Sequence, residues 1–283
     1  MKKTMIFGLL LCAMATEAFS QKNDGIFSFK VGSYEVFMLV EAQRKGNGDI
    51  LIADKSLIKR FMPLFGFFHS TNTFLIKTPD RNILVDTGFG QAIFEHLKKL
   101  NVAPEEIDAV LITHLHGDHF GGLAKEGKAL FPKAKIYLSS QELEYWTKTN
   151  VNQGAVAALS PYGSEVETFD PPQLDGNLIE LLEGITPIAN FGHTPGHTVF
   201  LVENGGEKFL IIGDLLHIAL VQFSLPEISA TYDSDAKAAA EVRREILSYA
   251  ANNKIPVGGM HIVYPGTGMV EAEGNGFKFV PAK

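Results

Sequence analysis

His114-Leu115-His116-Gly117-Asp118-His119 is the stretch on which the reading of this chain turns. It follows the apolar, β-branched run Ala109-Val110-Leu111-Ile112-Thr113 and leads into Gly121-Gly122. It therefore sits where a buried strand ends and the chain turns. Three imidazoles and a carboxylate within six residues cannot all face one way on a regular element. In an irregular loop, alternate residues turn towards two neighbouring points. That suits two metal ions sharing a loop better than one ion in a closed cage. Imidazole nitrogen with carboxylate oxygen, and no thiolate, fits zinc or another first-row divalent metal.

The chain around this loop sets the bounds. Lys2 and Lys3, the apolar run from Met5 to Met14 and the small residues of Ala18-Phe19-Ser20 predict an export signal cut after Ser20. The run is shorter than the ~20 residues that a membrane span needs. The expectation is a signal peptide over 1–20 and a single domain over 21–283, periplasmic or secreted. Cys12 is the one cysteine and leaves with the signal, so neither a disulfide nor a thiolate ligand is expected. Net charge is −7, and −8 once Lys2, Lys3 and Glu17 are removed, a poor footprint for a nucleic-acid partner. No membrane partner is expected after cleavage, and a homodimer is left open.

Taken in order, Ile26 to Lys30 and Tyr34 to Val40 read as a hairpin around Gly32-Ser33. Asp54 caps a short helix through Phe61, stopped by Pro63. Thr71 to Lys77 and Asn82 to Val85 form a second strand pair that runs into Asp86-Thr87-Gly88. Gln91 to Leu100 is helical by spacing, Lys135 to Leu138 is a strand and Gln141 to Thr149 a helix. Residues 150–177, broken by Gly154, Pro161, Gly163, Pro171 and Pro172, carry no clear pattern. Leu178 to Leu182 pairs with Ile185 to Ala189, and Thr198 to Val202 with Phe209 to Ile212. A long helix runs from Asp233 or Ser234 to about Asn252, with Val242, Ile246, Leu247 and Tyr249 inward, and Phe277 to Val280 is an edge strand. Two β-rich halves with helices outside predict two sheets packed face to face.

Ligand-type residues recur at other turns: His193 and His197 in Gly192-His193-Thr194-Pro195-Gly196-His197, Asp214 after the strand Phe209 to Ile212, and His261 after Gly258-Gly259. With Asp86-Thr87-Gly88 and the histidine loop, this order resembles the metallo-β-lactamase-fold hydrolases over nearly all of the mature chain. The resemblance implies an α/β fold, a four-layer αββα sandwich, with two Zn2+ or other first-row divalent ions at one edge of the sheets. It implies His114, His116 and His197 on the first metal, Asp118, His119 and His261 on the second, and Asp214 bridging. Asp86 is expected to hold an imidazole from behind, and His193 to stand behind the ligands as well. Two such ions share a water and lower its pKa, giving a nucleophile for esters, lactones, thioesters, amides or phosphoesters.

Within the family, the thiolate-ligand lactamases are excluded, and those lacking a bridging carboxylate are disfavoured by Asp214. The histidine loop also resembles transfer-RNA 3′-processing nucleases, against which export and acidity argue. Glyoxalase-II-type thioesterases share the ligands but act on an intracellular thiol conjugate. The chain is most similar to the acyl-homoserine lactonases and the methyl parathion hydrolases, the latter especially over Gly213 to Phe223 and Asn72 to Ile76. This implies an N-acyl-homoserine lactonase, with a phosphotriesterase or arylesterase as the alternative and a non-catalytic metal-binding protein as a third. Asp118 would shuttle a proton to the leaving group. In lactonases a tyrosine commonly stands three residues after the bridging aspartate; here His217 takes that place and would donate to the carbonyl. The partner expected is a small molecule with an apolar acyl or aryl group. Phe65, Phe67, Phe68, Phe89, Phe120, Trp146, Leu216 and Phe223 are the candidates to line its pocket.

Overall fold

The computed structural model describes residues 24–46, 48–61 and 67–283. The expected signal over 1–20, Cys12, Pro63 and Phe65 lie outside the described residues. Strand β1 (Ile26–Val31) folds back on β2 (Tyr34–Gly46), and a helix α1 (Lys55–Phe61) follows. Asp54 caps that helix by accepting the Ser56 N–H at 2.7 Å. Then come β3 (Phe67–Lys77), β4 (Asn82–Val85), α2 (Ile93–Lys99), β5 (Ala109–Leu111), a single turn α3 (Gly117–Phe120) and the small ribbon β6 (Ala124–Lys125) with β7 (Lys128–Ala129). Strand β8 (Lys135–Ser139), α4 (Ser140–Glu144), α5 (Gln153–Leu159) and β9 (Val166–Phe169) complete the first half. The second half comprises β10 (Ile185–Ala189), β11 (Thr198–Asn204), β12 (Glu207–Ile211), α6 (Ala219–Gln222), α7 (Ala236–Asn253), β13 (Val257–Gly258), β14 (Thr267–Glu273) and β15 (Gly276–Pro281).

Two sheets result, a seven-stranded one in the order β1-β2-β3-β4-β5-β8-β9 and a six-stranded one running β10 to β15 in sequence order. Alternation along the strands explains how they stack. Val36, Met38, Phe74 and Ile76 point inward and meet Phe200, Val202, Phe209 and Ile211 of the other sheet. Leu39, Leu75, Leu84 and Val110 point outward, under Ile93 and Leu97 of α2 and Leu159 of α5. On the far side Val199, Leu201 and Leu210 lie under Ile246, Leu247 and Ala250 of α7. The four layers are therefore helix, sheet, sheet, helix, and each fully buried aliphatic or aromatic side chain contributes roughly 1.5–3 kcal/mol to holding them. No helix among the described residues is long and apolar enough to cross a membrane.

This topology gathers the chemistry at one edge. Strand β5 runs parallel to β4, and β13 parallel to β12. The loops leaving β4, β5, β12 and β13 carry Asp86, the 114–119 loop, Asp214 and His261. Strand β11 is antiparallel to β12, so the 190–197 loop that feeds it joins the same edge.

Some expectations give way. Leu178 to Leu182 forms no strand: its only ladder contact is a single bridge from Leu182 to Ile185, and Leu181 N–H also goes to the Ile185 carbonyl. The unreadable 150–177 segment holds α5 and β9. On α7, Val242 and Tyr249 are only half-buried, while Arg243 is 1% exposed.

Candidate metal centre

At the end of β5 the chain is pinned from behind. Asp86 takes φ 59°, a left-handed conformation that Asp tolerates better than most residues. Its carboxylate accepts the Thr113 N–H at 2.8 Å, the Thr113 hydroxyl at 2.7 Å and pairs with His119 Nδ1 at 2.7 Å. Beyond Thr113 the loop delivers His114 Nε2 and His116 Nδ1 to within 2.9 Å of each other. His193 Nε2 joins them, 3.2 Å from His114 Nε2 and 3.0 Å from His116 Nδ1. Asp214 Oδ2 completes the group, 3.5 Å from His193 Nε2 and 3.7 Å from His114 Nε2. Corners of a tetrahedron around an ion with bonds of 2.0–2.1 Å stand roughly 3.3–3.4 Å apart, so this group has the spacing of metal donors.

His193, not His197, brings the third imidazole. The expectation reversed these two. His197 is fully buried, with Nδ1 3.1 Å from the Asn190 side-chain oxygen and Nε2 accepting the Asp214 N–H at 3.0 Å. Both its ring nitrogens are committed away from the cluster. His193 Nδ1 rests on Asp233 Oδ1 at 2.9 Å, which leaves Nε2 free to face inward.

A second group lies alongside. His119 Nε2 is 3.2 Å from Asp214 Oδ1 and 3.6 Å from Asp118 Oδ1. His261 Nε2 is 3.0 Å from Asp214 Oδ2 and 3.7 Å from Asp118 Oδ2. Asp214 thus reaches both groups. His261 Nδ1 is fixed by the Ser70 carbonyl at 2.8 Å. His217 stacks on His261 at 5.4 Å between ring centroids, with Nε2 3.4 Å from Asp214 Oδ2.

Electrostatics separates the two groups. Burial holds His114 well below the ordinary imidazole value and takes His116 and His193 to about 4, so all three are neutral at pH 7 with lone pairs available. Burial also opposes charge on His119 and His261, but Asp214 and Asp118 outweigh it. They hold His119 well above its ordinary value and His261 at about 9. His119 Nε2, Asp214 Oδ1 and both nitrogens of His217 are buried without a formed hydrogen bond. Such orphans call for an ion or a ligand. The donor set, its spacing and these orphans fit bound metal.

Three residues around the centre carry no sequence signal for function. Glu142 of α4 is fully buried and accepts from Leu115 N, Trp146 Nε1, Thr194 Oγ1 and Gly196 N. Its position in Ser139-Ser140-Gln141-Glu142 reads as a helix cap, and Ser139 does cap α4. Asp233 reads as a helix start. Arg243 of α7 donates to the carbonyls of Leu215, Pro226 and Ile228 and lies 3.5 Å from Asp233.

A cavity of about 940 Å3 opens over the centre. Phe67 and Phe89, among the candidates, line it, together with His69, Ile50, Ile218, Tyr232, Arg44 and Lys45. Phe120, Leu216 and Phe223 do not line it: Phe120 packs in the layer of Leu123 and Leu159, and Leu216 and Phe223 in that of Ile246 and Leu247, 7%, 1% and 2% exposed. Phe68 alternates with Phe67 on β3 and points to solvent. Trp146 is held by Glu142 and packs on His116 at 5.5 Å, behind the site and not in the cavity wall.

The Metallo-beta-lactamase superfamily model matches residues 66–253, and the chain belongs to that superfamily. Among curated proteins, it is similar to Exodeoxyribonuclease WalJ of Streptococcus pneumoniae, 35% identical over 89 residues, 30% of this chain and 33% of that protein. Its matches span from a third to two thirds of the curated relatives' own length. Among solved structures, hydrolase AbOPH of the beta lactamase superfamily has a TM-score of 0.82 at 26% identity, covering 92% of this chain and 98% of that one. AidC, a dizinc quorum-quenching lactonase with its product N-hexanoyl-L-homoserine, has a TM-score of 0.78 at 25% identity, covering 92% and 98%.

Proposed function

We propose that the protein is a dinuclear-zinc hydrolase that opens N-acyl-homoserine lactones. One observation carries this: two donor groups share Asp214 at the foot of a cavity walled by Phe67, Phe89 and Ile218. Likeness to AidC supports the lactone substrate. His114, His116 and His193 with Asp214 would hold one ion, and Asp118, His119 and His261 with Asp214 the other. Bound there, such ions supply Lewis-acid activation of a water and of the scissile carbonyl.

The chain's own groups do the rest. Asp86, Asp233 and the Ser70 carbonyl hold the rear nitrogens, which fixes each ring and keeps its front nitrogen turned inward. His217, whose ring nitrogens have no partner, offers an N–H to the carbonyl oxygen as negative charge gathers on it. The Asp118 side chain is 25% exposed at the cavity, where it can take a proton and return it to the departing hydroxyl. The acyl chain lies against Phe67 and Phe89.

A phosphotriesterase or arylesterase of the methyl parathion hydrolase type is the second reading. It is favoured by His217 standing where lactonases commonly carry tyrosine. The test is a panel of hexanoyl and decanoyl lactones, phenyl acetate and paraoxon on zinc-loaded protein, with zinc-stripped protein as the blank. Lactone turnover should lead, and His217→Ala should lower kcat by about 10²-fold with KM little changed. No lactone opening above the blank removes the lactonase reading; faster ester or phosphotriester turnover selects the second. Export belongs to the same proposal, and an exported chain that does not begin at Gln21 removes the cleavage site.

A further inference from the structure

The β2–β3 ribbon reaches past the sheet and forms one wall of the cavity. A register shift between Val40 and Ala42 re-aims the strand there. Beyond it Ala42 pairs with Thr71, Arg44 with His69 and Gly46 with Phe67, and all six line the cavity. They share one face of the ribbon, as period-2 alternation requires. A Cβ on Gly46 would come within 2.6 Å of the Phe67 ring, so the glycine makes the room that Phe67 fills.

On this wall Arg44 places its guanidinium carbon 5.0 Å over the Phe89 ring. The ring limits where the cation can go and leaves its donors directed to the cavity. Directly opposite, His69 stands 6.4 Å from the ring of His261, so the cation is one side chain removed from the donor groups. Lys45 alternates to the other face of the ribbon, where it pairs with Phe68. The carboxylates that line the cavity, Asp118 and Asp214, belong to the metal groups. The acid nearest in sequence, Glu41, is buried and accepts the N–H groups of Gln91 and Ile93. Among the described residues, Arg44 therefore has no acidic partner in the lining outside the metal groups, which leaves a fixed positive charge at the cavity wall.

We propose that Arg44 is a specificity-determining residue, and that the preferred substrates are esters or lactones whose acyl chain ends in a carboxylate. This rests on the hydrolase reading of the same centre. Charge pairing with Arg44 would fix the far end of the acyl chain while its methylenes cross Phe67 and Phe89.

The test uses the zinc-loaded full chain and monophenyl esters of dicarboxylic acids of graded length, each against the phenyl ester of the matching monocarboxylic acid. At the best length the charged ester should win in kcat/KM by roughly fivefold, carried by KM, as expected for a partly exposed pair. The advantage should shrink with added salt, fall to about one in Arg44→Gln, and partly return in Arg44→Lys. Equal turnover of charged and neutral esters, or an advantage that survives Arg44→Gln, overturns the proposal. If neither ester is cleaved and lactones are not opened either, the hydrolase reading fails on its own account. Calorimetric titration of the corresponding mono-anilides then decides: tighter binding of the charged anilide, lost in Arg44→Gln, upholds Arg44, and equal binding overturns it.

Discussion

Glu142→Gln isolates one outer support of the centre. The carboxylate serves two pairs of donors: Oε1 takes Leu115 N at 2.8 Å and Trp146 Nε1 at 2.6 Å, and Oε2 takes Thr194 Oγ1 at 2.7 Å and Gly196 N at 2.9 Å. Leu115 lies between His114 and His116, and Thr194 and Gly196 lie between His193 and His197. One side chain therefore ties together both loops that form the first donor group. Glutamine keeps one carbonyl oxygen. Placed on the Oε1 side, it still serves Leu115 and Trp146. The amide nitrogen then faces Thr194, whose hydroxyl can turn and accept, and Gly196, whose N–H cannot. One backbone donor is orphaned, at a cost of about 1–3 kcal/mol. Burial pushes the carboxyl above its ordinary value against the pull of its four donors, so neutralising it also removes a desolvation cost and favours the lower end of that range. Glu142→Leu orphans both N–H groups and the indole together, at about three times that cost.

The consequence for the centre is asymmetric. The Gln variant keeps the His114–His116 side and loosens the loop that carries His193. Metal affinity at the first group should fall 10–100-fold, the usual effect of losing an outer support. The second group, held by Asp86 and Ser70, should change little. Urea unfolding of the metal-free protein gives the stability change, and competition against a chromophoric chelator resolves the two affinities. Equal weakening of both sites, or a Gln variant with wild-type affinity and stability, refutes the reasoning.

Two further outcomes follow from the same geometry. Asp233→Asn leaves His193 Nδ1 beside an amide that can present its NH2, so the ring loses its orienting acceptor; first-site affinity should drop 10–100-fold, read by the same competition, while an unchanged value would show Asp233 to be only a loop brace. In metal-free protein His116 and His193 sit near 4 and His261 near 9, against about 6.5 when unfolded. The depressed pair withdraws stability as pH falls from 6.5 towards 4, and the raised group withdraws it as pH climbs from 6.5 through 9. The melting temperature should peak near pH 6.5, and a curve still rising at pH 9 would contradict the assignment of His261.

How far the sequence could be read depended on distance along the chain. The 114–119 loop was legible because its donors are neighbours and must already share a turn. The sheets were legible where β-rich runs are bounded by turn residues, as at the Gly32-Ser33 hairpin between β1 and β2. The segment Leu178 to Leu182 was misread because an apolar run looks the same whether it joins a ladder or covers an edge. Arg243 was missed for a related reason: spacing along α7 marks an inward position but assigns it to an apolar residue, Val242. The guanidinium is buried because four acceptors from the 214–233 segment meet it there, and those acceptors lie 10 to 28 residues away. Phe120, Leu216 and Phe223 are apolar, and an apolar side chain reads the same in sequence whether it lines a pocket or fills a core. All three are buried in the layers between helix and sheet.

The exchange of His193 and His197 shows where local pattern stops being informative. Each is a histidine after a glycine in Gly192-His193-Thr194-Pro195-Gly196-His197, and nothing in that string ranks them. What ranks them is Asp214. To reach both donor groups, its carboxylate needs a backbone held in place, and its own N–H must then find an acceptor inside the protein. His197 Nε2 is that acceptor at 3.0 Å, which obliges Nδ1 to carry the proton and point to Asn190. Gly213 permits the approach: it takes φ 53°, and a Cβ there would stand 2.5 Å from His197 Nε2. A ring so committed has no lone pair left for a metal, and the inward position falls to the histidine whose rear nitrogen meets a carboxylate. His197 thus serves the centre by anchoring the residue that joins its two halves.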